Sequence, residues 1–281
     1  MKKAWRIFAW FILGVWLAFV VAICALRFYV LPWLAQEENY FSQIISAQLG
    51  TNLTIEDAQP FWNGLEPGMT FKNVKIAHSK RPMETAFQLE TARAVFSWKS
   101  FLNLFRHDLP SFSWLQAENL QIMVEKKNEK WWLAGFLMAR DSDDSNFFDW
   151  LLSQNHVRFQ NLSVQFLEND APPEFFHNIH FLMDNERDLH RVQLKAVLPS
   201  LFARRVDLRA EFFGRLAGGT WLNLNNKQST FYAHIENANL PKILSYVDLP
   251  NDFKFSQGRA NLKTWAHFET HYRGTFSAEL S

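Results

Sequence analysis

The sequence predicts a mainly β protein with a minor α component: an N-terminal transmembrane helix, then an antiparallel β-sheet with short helical insertions. Three observations support this prediction. Residues 7–26 contain no charged side chain. From residue 51 onward, apolar and polar side chains alternate with a period of two, which is typical of strands with one wet face. Phe, Trp and Tyr make up 16% of the chain, so there is a large apolar surface to bury.

The uncharged run is long enough to cross a bilayer. As a helix with about 1.5 Å rise per residue it would span roughly 30 Å, which matches the hydrocarbon core. Lys2, Lys3 and Arg6 precede the run, whereas Arg27 alone follows it closely. The positive-inside bias therefore predicts residues 1–6 as a cytoplasmic tip and places the chain after Arg27 across the membrane.

A cleaved signal peptide is the alternative for the same run. The apolar region of a typical signal peptide has about 7–15 residues, so this run is long for one. Its possible cleavage positions, near Ala22 and Ala25, lack a good pattern of small residues. We therefore favour an uncleaved transmembrane helix over residues 7–26. Cys24 lies inside the run, where we interpret it as a packing residue.

Residues 27–50 are expected to form a juxtamembrane segment and a helix. Pro32 predicts a bend of the chain at the membrane surface. Residues 36–49 have a helical apolar stripe that includes Phe41, and Gly50 follows as a C-cap signal. We interpret this helix as a cap on the following domain. A helix that lies on the bilayer is the alternative, but two glutamates without Lys or Arg suit anionic lipid poorly.

Residues 51–281 are expected to form one continuous sheet, because no long linker interrupts them. The period-two runs lie at residues 71–76, 120–124, 157–166, 192–196, 206–212, 231–235 and 260–262. Short helical insertions are expected at residues 99–106, 146–154 and 240–246. The last has Pro241 in its first turn, where proline is favoured. We therefore expect mostly antiparallel strands, with helix confined to small pieces.

An irregular repeat marks several of these runs. Asparagine followed by an apolar, a polar and an apolar residue begins at Asn73, Asn119, Asn161 and Asn178. Asparagine tolerates a left-handed backbone and suits a β-bulge or the start of a strand. The spacing is uneven, so this is not a solenoid of fixed period. We expect a similar kind of strand entry to be reused at these positions.

The sequence offers no specific catalytic, metal or cofactor site. A single cysteine excludes a disulfide framework and multi-cysteine metal sites. His267, Glu269 and His271 would share one face of a strand, but a solvated strand face explains them as well. The acidic run that begins at Asp141 lacks the glycine and the glutamate of a calcium loop. A net charge of +1 gives no support for nucleic-acid binding. We therefore expect a protein that is not an enzyme.

Aromatic residues often occur as neighbours, as in Trp131-Trp132 and Phe175-Phe176. Neighbours on a strand point to opposite faces. One interpretation is that one ring of each pair packs in a closed core while the other lies at a rim. The other is that the sheet has an apolar face too large to close on itself, which would suit acyl chains. Composition alone leaves both interpretations open.

Several short motifs follow one another in a distinctive order. They are RFYVLP at 27–32, QLG at 48–50, FWNGLEP at 61–67, FKNVKI at 71–76, VFSWKSFL at 95–102, WWLAG at 131–135, WLL at 150–152 and FQNL at 159–162. With the N-terminal anchor, this order resembles the N-terminal region of the YhdP branch of the AsmA-like envelope proteins, which also include TamB. The resemblance covers nearly the whole chain and rests on the order of the motifs.

This resemblance implies an elongated, twisted sheet with a hydrophobic groove, anchored in the inner membrane of a Gram-negative bacterium by residues 7–26. It implies non-enzymatic transport of phospholipid, its partner, through the periplasm toward the outer membrane. Members of this branch are several times longer than this chain. The resemblance therefore also implies that residues 51–281 are a periplasmic β-groove region truncated at its C-terminus. The remainder of a longer bridge protein would then be a further partner.

If the sheet carries such a groove, its lining should come from the inward members of the alternating runs. The expected lining residues are Phe71, Val74, Ile76, Leu120, Ile122, Val124, Leu162, Val164, Phe166, Val192, Leu194, Val206, Leu208, Phe231 and Ile235. Two other classes stay open. One is an envelope assembly or structural scaffold protein whose sheet binds protein rather than lipid. The other is a sensor ectodomain, although only residues 1–6 precede the span.

Overall fold

A computed structural model describes residues 2–36, 40–49, 52–78, 80–98, 111–128, 130–137, 150–151, 153–169, 171–213, 228–244, 257–269 and 274–281. Among these residues, a long N-terminal helix leads into a single open β-sheet with short helical pieces. This confirms the predicted fold class. The predicted helix at 99–106 lies outside the described residues, and of the one at 146–154 the structure describes Trp150 and Leu151 as helical.

The N-terminal helix continues past the predicted span. Helix α1 (Lys2–Ala25) runs into a π-helical turn at Leu26–Val30 and then into helix α2 (Leu31–Gln36). The chain therefore remains helical at Pro32, where we expected a bend. The π-helical turn shifts the hydrogen-bond ladder just ahead of the proline, which has no N–H to donate. Among the residues described, this is the one helix long and apolar enough to cross a membrane.

Helix α3 (Tyr40–Leu49) forms most of the helix predicted at residues 36–49, of which residues 37–39 lie outside the described part of the chain. It packs directly on the sheet. The buried ring of Phe41 contacts the ring of Phe71 in an edge-on arrangement, with 5.3 Å between the centroids. The helix therefore covers part of the sheet, as the cap interpretation predicts.

Fourteen strands, β1 to β14 in chain order, form the sheet in the described part of the chain. Their bounds are Leu53–Thr54, Asp57–Asn63, Glu66–His78, Arg81–Phe96, Phe112–Lys127, Lys130–Leu133, Phe136–Leu137, His156–Glu168, Glu174–Glu186, Leu189–Val197, Arg205–Phe213, Ser229–Asn239, Arg259–Phe268 and Gly274–Leu280. Helix α4 (Leu240–Leu244) follows β12. It confirms the short helix predicted at residues 240–246.

Strand order in the sheet follows the chain closely. From edge to edge it is β1-β3-β4-β5-β8-β9-β10-β11-β12-β13-β14, while β2 pairs with β3, and β6 and β7 form a hairpin beside β5. Neighbours are antiparallel, as predicted, but β5 and β8 are parallel. A parallel pair needs a crossover connection, and the chain that contains β6, β7 and residues 150–151 supplies it. Side-chain alternation does not reveal this, because it is the same in both orientations.

The repeated asparagines lie inside strands rather than at strand entries. Asn73, Asn119, Asn161 and Asn178 have φ angles of 51°, 54°, 54° and 56°. This is the left-handed conformation that asparagine tolerates, so the predicted type of backbone is confirmed. The expectation that these residues mark strand entries is wrong. Each asparagine slips the alternation by one residue. The side chain two positions before it and the one directly after it therefore face the same side.

Side-chain hydrogen bonds join the slip positions from strand to strand. Asn161 Nδ2 donates to Asn119 Oδ1 at 2.6 Å, and Asn119 Nδ2 donates to Glu90 Oε2 at 2.6 Å. Asn73 Nδ2 donates to Glu56 Oε2 in the same manner. The slips in β5 and β8 are thus aligned with Glu90 of β4. Because neighbouring strands change their alternation together, the sheet keeps one apolar side across this line.

Candidate functional site

One side of the sheet, called the apolar face here, is defined by rows of directly paired residues. The first row crosses ten strands from β3 to β14 and is apolar throughout. It consists of Met69, Ala94, Leu115, Val157, Met183, Val192, Ala210, Phe231, Ala266 and Phe276. At about 4.8 Å between neighbouring strands, this row is roughly 43 Å long.

A second row lies beside the first, two residues further along each strand. It consists of Phe71, Ala92, Ala117, Phe159, Phe181, Leu194, Leu208, Ala233, Thr264 and Ala278. Thr264 is the polar member of this row. The two rows together make a continuous apolar strip across the sheet, which no strand interrupts.

The opposite side, called the outer face here, is mainly polar. A row on this side consists of Thr70, Arg93, Gln116, Arg158, Leu182, Gln193, Arg209, Tyr232, Trp265 and Ser277. This row has three apolar or aromatic members. Leu182 stands alone, and Tyr232 and Trp265 are neighbours. Such scattered exposure is ordinary for a solvated surface.

Two arginines of the outer face form ion pairs with carboxylates of the same face. Arg209 Nε and Nη2 donate to the two carboxylate oxygens of Asp207 at 3.0 and 2.7 Å. These hydrogen bonds lower the pKa of Asp207, although its partial burial raises it, and they raise the pKa of Arg209. Arg191 Nε donates likewise to Glu211 at 3.0 Å, which raises the pKa of Arg191. The charges of these two arginines are therefore compensated on the outer face.

The strand registers put all fifteen predicted lining residues on the apolar face. Five belong to the two rows above, namely Phe71, Val192, Leu194, Leu208 and Phe231. Five lie one row further along the strands, namely Val74, Leu120, Leu162, Val206 and Ile235. Five lie beyond those, namely Ile76, Ile122, Val124, Val164 and Phe166. Their contact with lipid stays a prediction.

Residues of the same face on β4, β9 and β14 were not predicted from the sequence. Ala92 and Ala94 are small, so they contribute little to a hydrophobic pattern. Phe181 and Met183 flank the apolar Leu182 of the outer face, which hides their alternation. Phe276 could have been found, because the residues from Gly274 to Leu280 alternate in the same period of two as the runs that were identified.

The apolar face is covered near β3, β4 and β5. Helix α3 places Phe41 against Phe71 and 6.5 Å from Phe96, and the ring of Trp150 lies 6.0 Å from Phe112. A cavity of about 130 Å³ with an entirely apolar lining remains between the sheet and these covers. Its size is comparable with the roughly 150 Å³ cavity that stays dry and binds benzene in another protein. Predicted lining residues that border it are Phe71, Val74, Ile76 and Ile122.

The same face becomes exposed toward β14. In the first row, Met69 is 0% exposed and Met183 is 1% exposed, whereas Phe276 is 70% exposed. Leu208, in the second row on β11, is 38% exposed, and Leu280 at the end of β14 is 67% exposed. The apolar face is therefore a closed core beside the N-terminal helices and an open surface at the far end.

Ion pairs border the apolar face at the ends of β5, β8 and β9. Lys126 Nζ lies 3.6 Å from Glu168 Oε1. Lys242 of α4 reaches across to Glu174, with 3.1 Å between Nζ and Oε1. Glu174 is paired with Phe166 in the register of β8 and β9, so the charged and apolar groups are direct neighbours. This border offers polar contacts next to the apolar strip.

The described residues contain no group of three or more His, Cys, Asp or Glu side chains that could hold a metal ion. His267 lies 3.0 Å from the Thr230 hydroxyl through its Nδ1 atom. His271 and the acidic run 141–144 lie outside the part of the chain that the structure describes.

One of three comparisons with known proteins finds a match. A family model described as YhdP protein matches residues 1–281, the whole of the sequence. Comparison with curated proteins and with solved structures gives no match. The family match confirms the resemblance that the order of motifs indicated, and it covers the N-terminal helix as well as the sheet. On this basis the chain belongs to the YhdP family.

Proposed function

We propose that this chain is a non-enzymatic protein, anchored in the inner membrane and otherwise periplasmic, that takes part in phospholipid transport between the inner and outer membranes. The main observation in support is the part of the first apolar row that is not fully buried, from Val192 on β10 to Phe276 on β14. Membership of the YhdP family supports a role in the envelope and in lipid transport at a coarse level.

An acyl chain would be stabilised on this row because it leaves water. Exposure of a lipid chain to water costs about 0.8 kcal/mol per methylene. From β10 to β14, where the row is not fully buried, successive positions offer similar apolar contacts, so a chain can pass from one strand to the next without returning to water. A polar headgroup can meanwhile stay at the border, near the Lys126–Glu168 and Lys242–Glu174 pairs.

Site-specific photo-crosslinking tests lipid contact. A photo-reactive amino acid is placed at Leu208, which is half-exposed on the apolar face, in the full chain expressed in a Gram-negative host. The matched control carries the same group at Arg209, the next residue, which belongs to the outer face. Mass spectrometry of the crosslinked products identifies what was captured.

Phospholipid captured at residue 208 and not at residue 209 is the expected result. The two positions differ in the face they occupy, while their distance from the membrane anchor is nearly the same. Equal capture at both residues, or none at either, would contradict a lipid-carrying face. Thermal unfolding of both variants checks that neither substitution has changed the stability of the fold.

The proposed topology has its own test. Lys2, Lys3 and Arg6 predict a cytoplasmic N-terminus, so a reporter that requires the periplasm should be active when fused after Ser281. A reporter that requires the cytoplasm should be inactive at the same position. The reverse pattern would contradict the orientation, and a mature N-terminus near residue 25 would contradict the uncleaved anchor.

An assembly or scaffold role is the second candidate, and one observation favours it. Strand β14 (Gly274–Leu280) is exposed along its whole length and pairs with β13 alone among the described strands. A further strand can pair with an edge of this kind, whether it belongs to another polypeptide or to the remainder of a longer chain. A further variant with the photo-reactive group at Phe276 separates the two roles, because a scaffold should yield protein adducts at residue 276 and no phospholipid at residue 208.

A further inference from the structure

We propose that a second membrane contact surrounds the point where the N-terminal helix leaves the bilayer. Its members share apolar or aromatic character and exposure, and they are Phe28, Tyr29, Trp33, Leu65 and Trp98. We name this set the collar. The partner is the headgroup region of the bilayer that α1 crosses. The inference rests on the anchoring part of the proposed function and not on lipid transport.

The depth of the collar follows from Arg27. It is the first charged residue after the uncharged run 7–26, so its guanidinium is expected at the level of the headgroups. The Arg27 Cζ atom lies 5.7 Å from the centroid of the Trp62 ring and 5.9 Å from that of Phe28. The end of strand β2 therefore stands at the same level as the end of the span.

Two parts of the sheet reach this level beside Trp62. The ring of Trp98, just after β4, lies 6.4 Å from that of Trp62. The β2–β3 hairpin turns directly after Trp62, at Gly64 with φ +61°, and presents Leu65 with 65% of its surface exposed. Leu65 and Trp98 are thus held at the same end of the sheet, beside Trp62 and the helix that enters the membrane.

The composition of the collar suits a bilayer interface. Trp and Tyr are enriched at that level because their rings are partly apolar and partly polar. Tyr29 and Trp33 are 76% and 50% exposed on the helix itself, on the segment that follows the uncharged run. Leu65 adds an exposed apolar side chain at the end of the sheet that the Arg27–Trp62 contact brings to the same level. A bilayer is the partner that this shared level favours, because the helical part of the collar directly follows the span.

Fluorescence quenching in lipid nanodiscs tests this contact. An environment-sensitive dye is attached to Leu65→Cys in a Cys24→Ala background of the full chain. The matched control is Met83→Cys, which is fully exposed and lies near the opposite ends of the same strands, β3 and β4. The nanodiscs contain phosphatidylethanolamine and phosphatidylglycerol with a headgroup spin label. A third sample carries the dye on the native Cys24.

Loss of dye emission at residue 65 and not at residue 83 is the expected result. Quenching at residue 24 with no quenching at residue 65 would overturn the collar while the anchor stands. Equal quenching at residues 65 and 83 would also overturn it, because the sheet would then lie flat on the bilayer. No quenching at residue 24 would overturn the anchor together with the collar. A collar that binds protein would leave residue 65 unquenched in nanodiscs with this chain alone.

Discussion

At the residue scale, single asparagines control which way the strands face. Asn119 has a left-handed backbone in the middle of β5, and its exposed side chain accepts from Asn161 and donates to Glu90. A regular strand would turn Leu120 to the outer face after Ala117. The slip instead keeps both on the apolar face, where both are buried. A conformation that costs other residues energy is thus used to extend the apolar surface.

The substitution Asn119→Ala should therefore destabilise the protein more than Asn119→Gly. Both remove the two side-chain hydrogen bonds, but alanine also suffers about 1–2 kcal/mol of strain in a left-handed backbone, which glycine avoids. Thermal unfolding of the full chain in nanodiscs compares the two variants. A glycine variant that is as unstable as the alanine variant would show that the backbone conformation is not what matters at this position.

Glu125 should make the stability depend on pH in the acid range. Burial raises the pKa of its carboxyl, but hydrogen bonds from Arg81 and His78 outweigh burial and leave the pKa below its usual value. A carboxyl whose pKa is lower in the folded state contributes stability above its unfolded value of about 4.3. That contribution is lost as the pH falls through the folded value.

The measurement is the free energy of unfolding against pH for the wild type and Glu125→Gln. The two should differ most near neutral pH, because the glutamine cannot provide the charge that Arg81 requires. The difference should shrink as the pH falls below about 4. A constant difference between pH 7 and pH 3 would contradict the assignment of this charge to the stability of the fold.

At the element scale, helix α3 closes the apolar face. Phe41 packs between the rings of Phe71 and Phe96, and Leu53 N–H donates to Ser46 Oγ at 2.9 Å. These contacts hold the helix over the same strip that is open at β14. The sheet alone does not bury its apolar rows, so a helix or strand laid over them decides where there is a core.

The substitution Phe41→Ala should cost about 3–5 kcal/mol of stability, as truncation of a buried phenylalanine usually does. Phe276→Ala is the matched control, since Phe276 belongs to the same face of the sheet but is 70% exposed. That change should stay within about 0.5 kcal/mol of the wild type. Denaturant unfolding of both variants checks this. Equal losses would mean that the face is packed to the same extent at both ends.

At the scale of the whole molecule, the exposure of the apolar face differs between its two ends. Leu120 on β5 is fully buried, whereas Leu208 on β11 is 38% exposed, although both are on that face. The change is not uniform, because Val206 is 8% exposed beside Leu208 on the same strand, while most apolar-face side chains of β10 to β13 have intermediate exposure. The closed core interpretation thus holds at one end and the open-face interpretation at the other.

Charged substitutions should separate the two ends. Leu120→Asp places an unpaired charge in a closed core, which costs several kcal/mol, and it should prevent folding. Leu208→Asp can reach water, so it should fold with little loss of stability yet abolish phospholipid crosslinking from neighbouring positions on the apolar face. Melting curves and crosslinking of both variants provide the measurement. If Leu208→Asp unfolds the protein as well, the open end is a core after all.

The sequence by itself determined which side chains share a face. Alternation with a period of two is a property of the extended backbone, so Val206 and Leu208 had to point the same way wherever their strand was placed. The span 7–26 was likewise determined locally, by twenty apolar or uncharged residues in succession. The asparagine slips are also local, since the left-handed preference belongs to the residue.

The tertiary structure alone decided how that face is used. The parallel pairing of β5 with β8, the position of α3 over Phe71 and the exposure of Phe276 all depend on residues distant in the chain. An apolar side chain on a strand has the same pattern whether a helix covers it or not. Burial is a property of what lies opposite, and only the assembled sheet and helices show where the apolar face is closed and where it remains open.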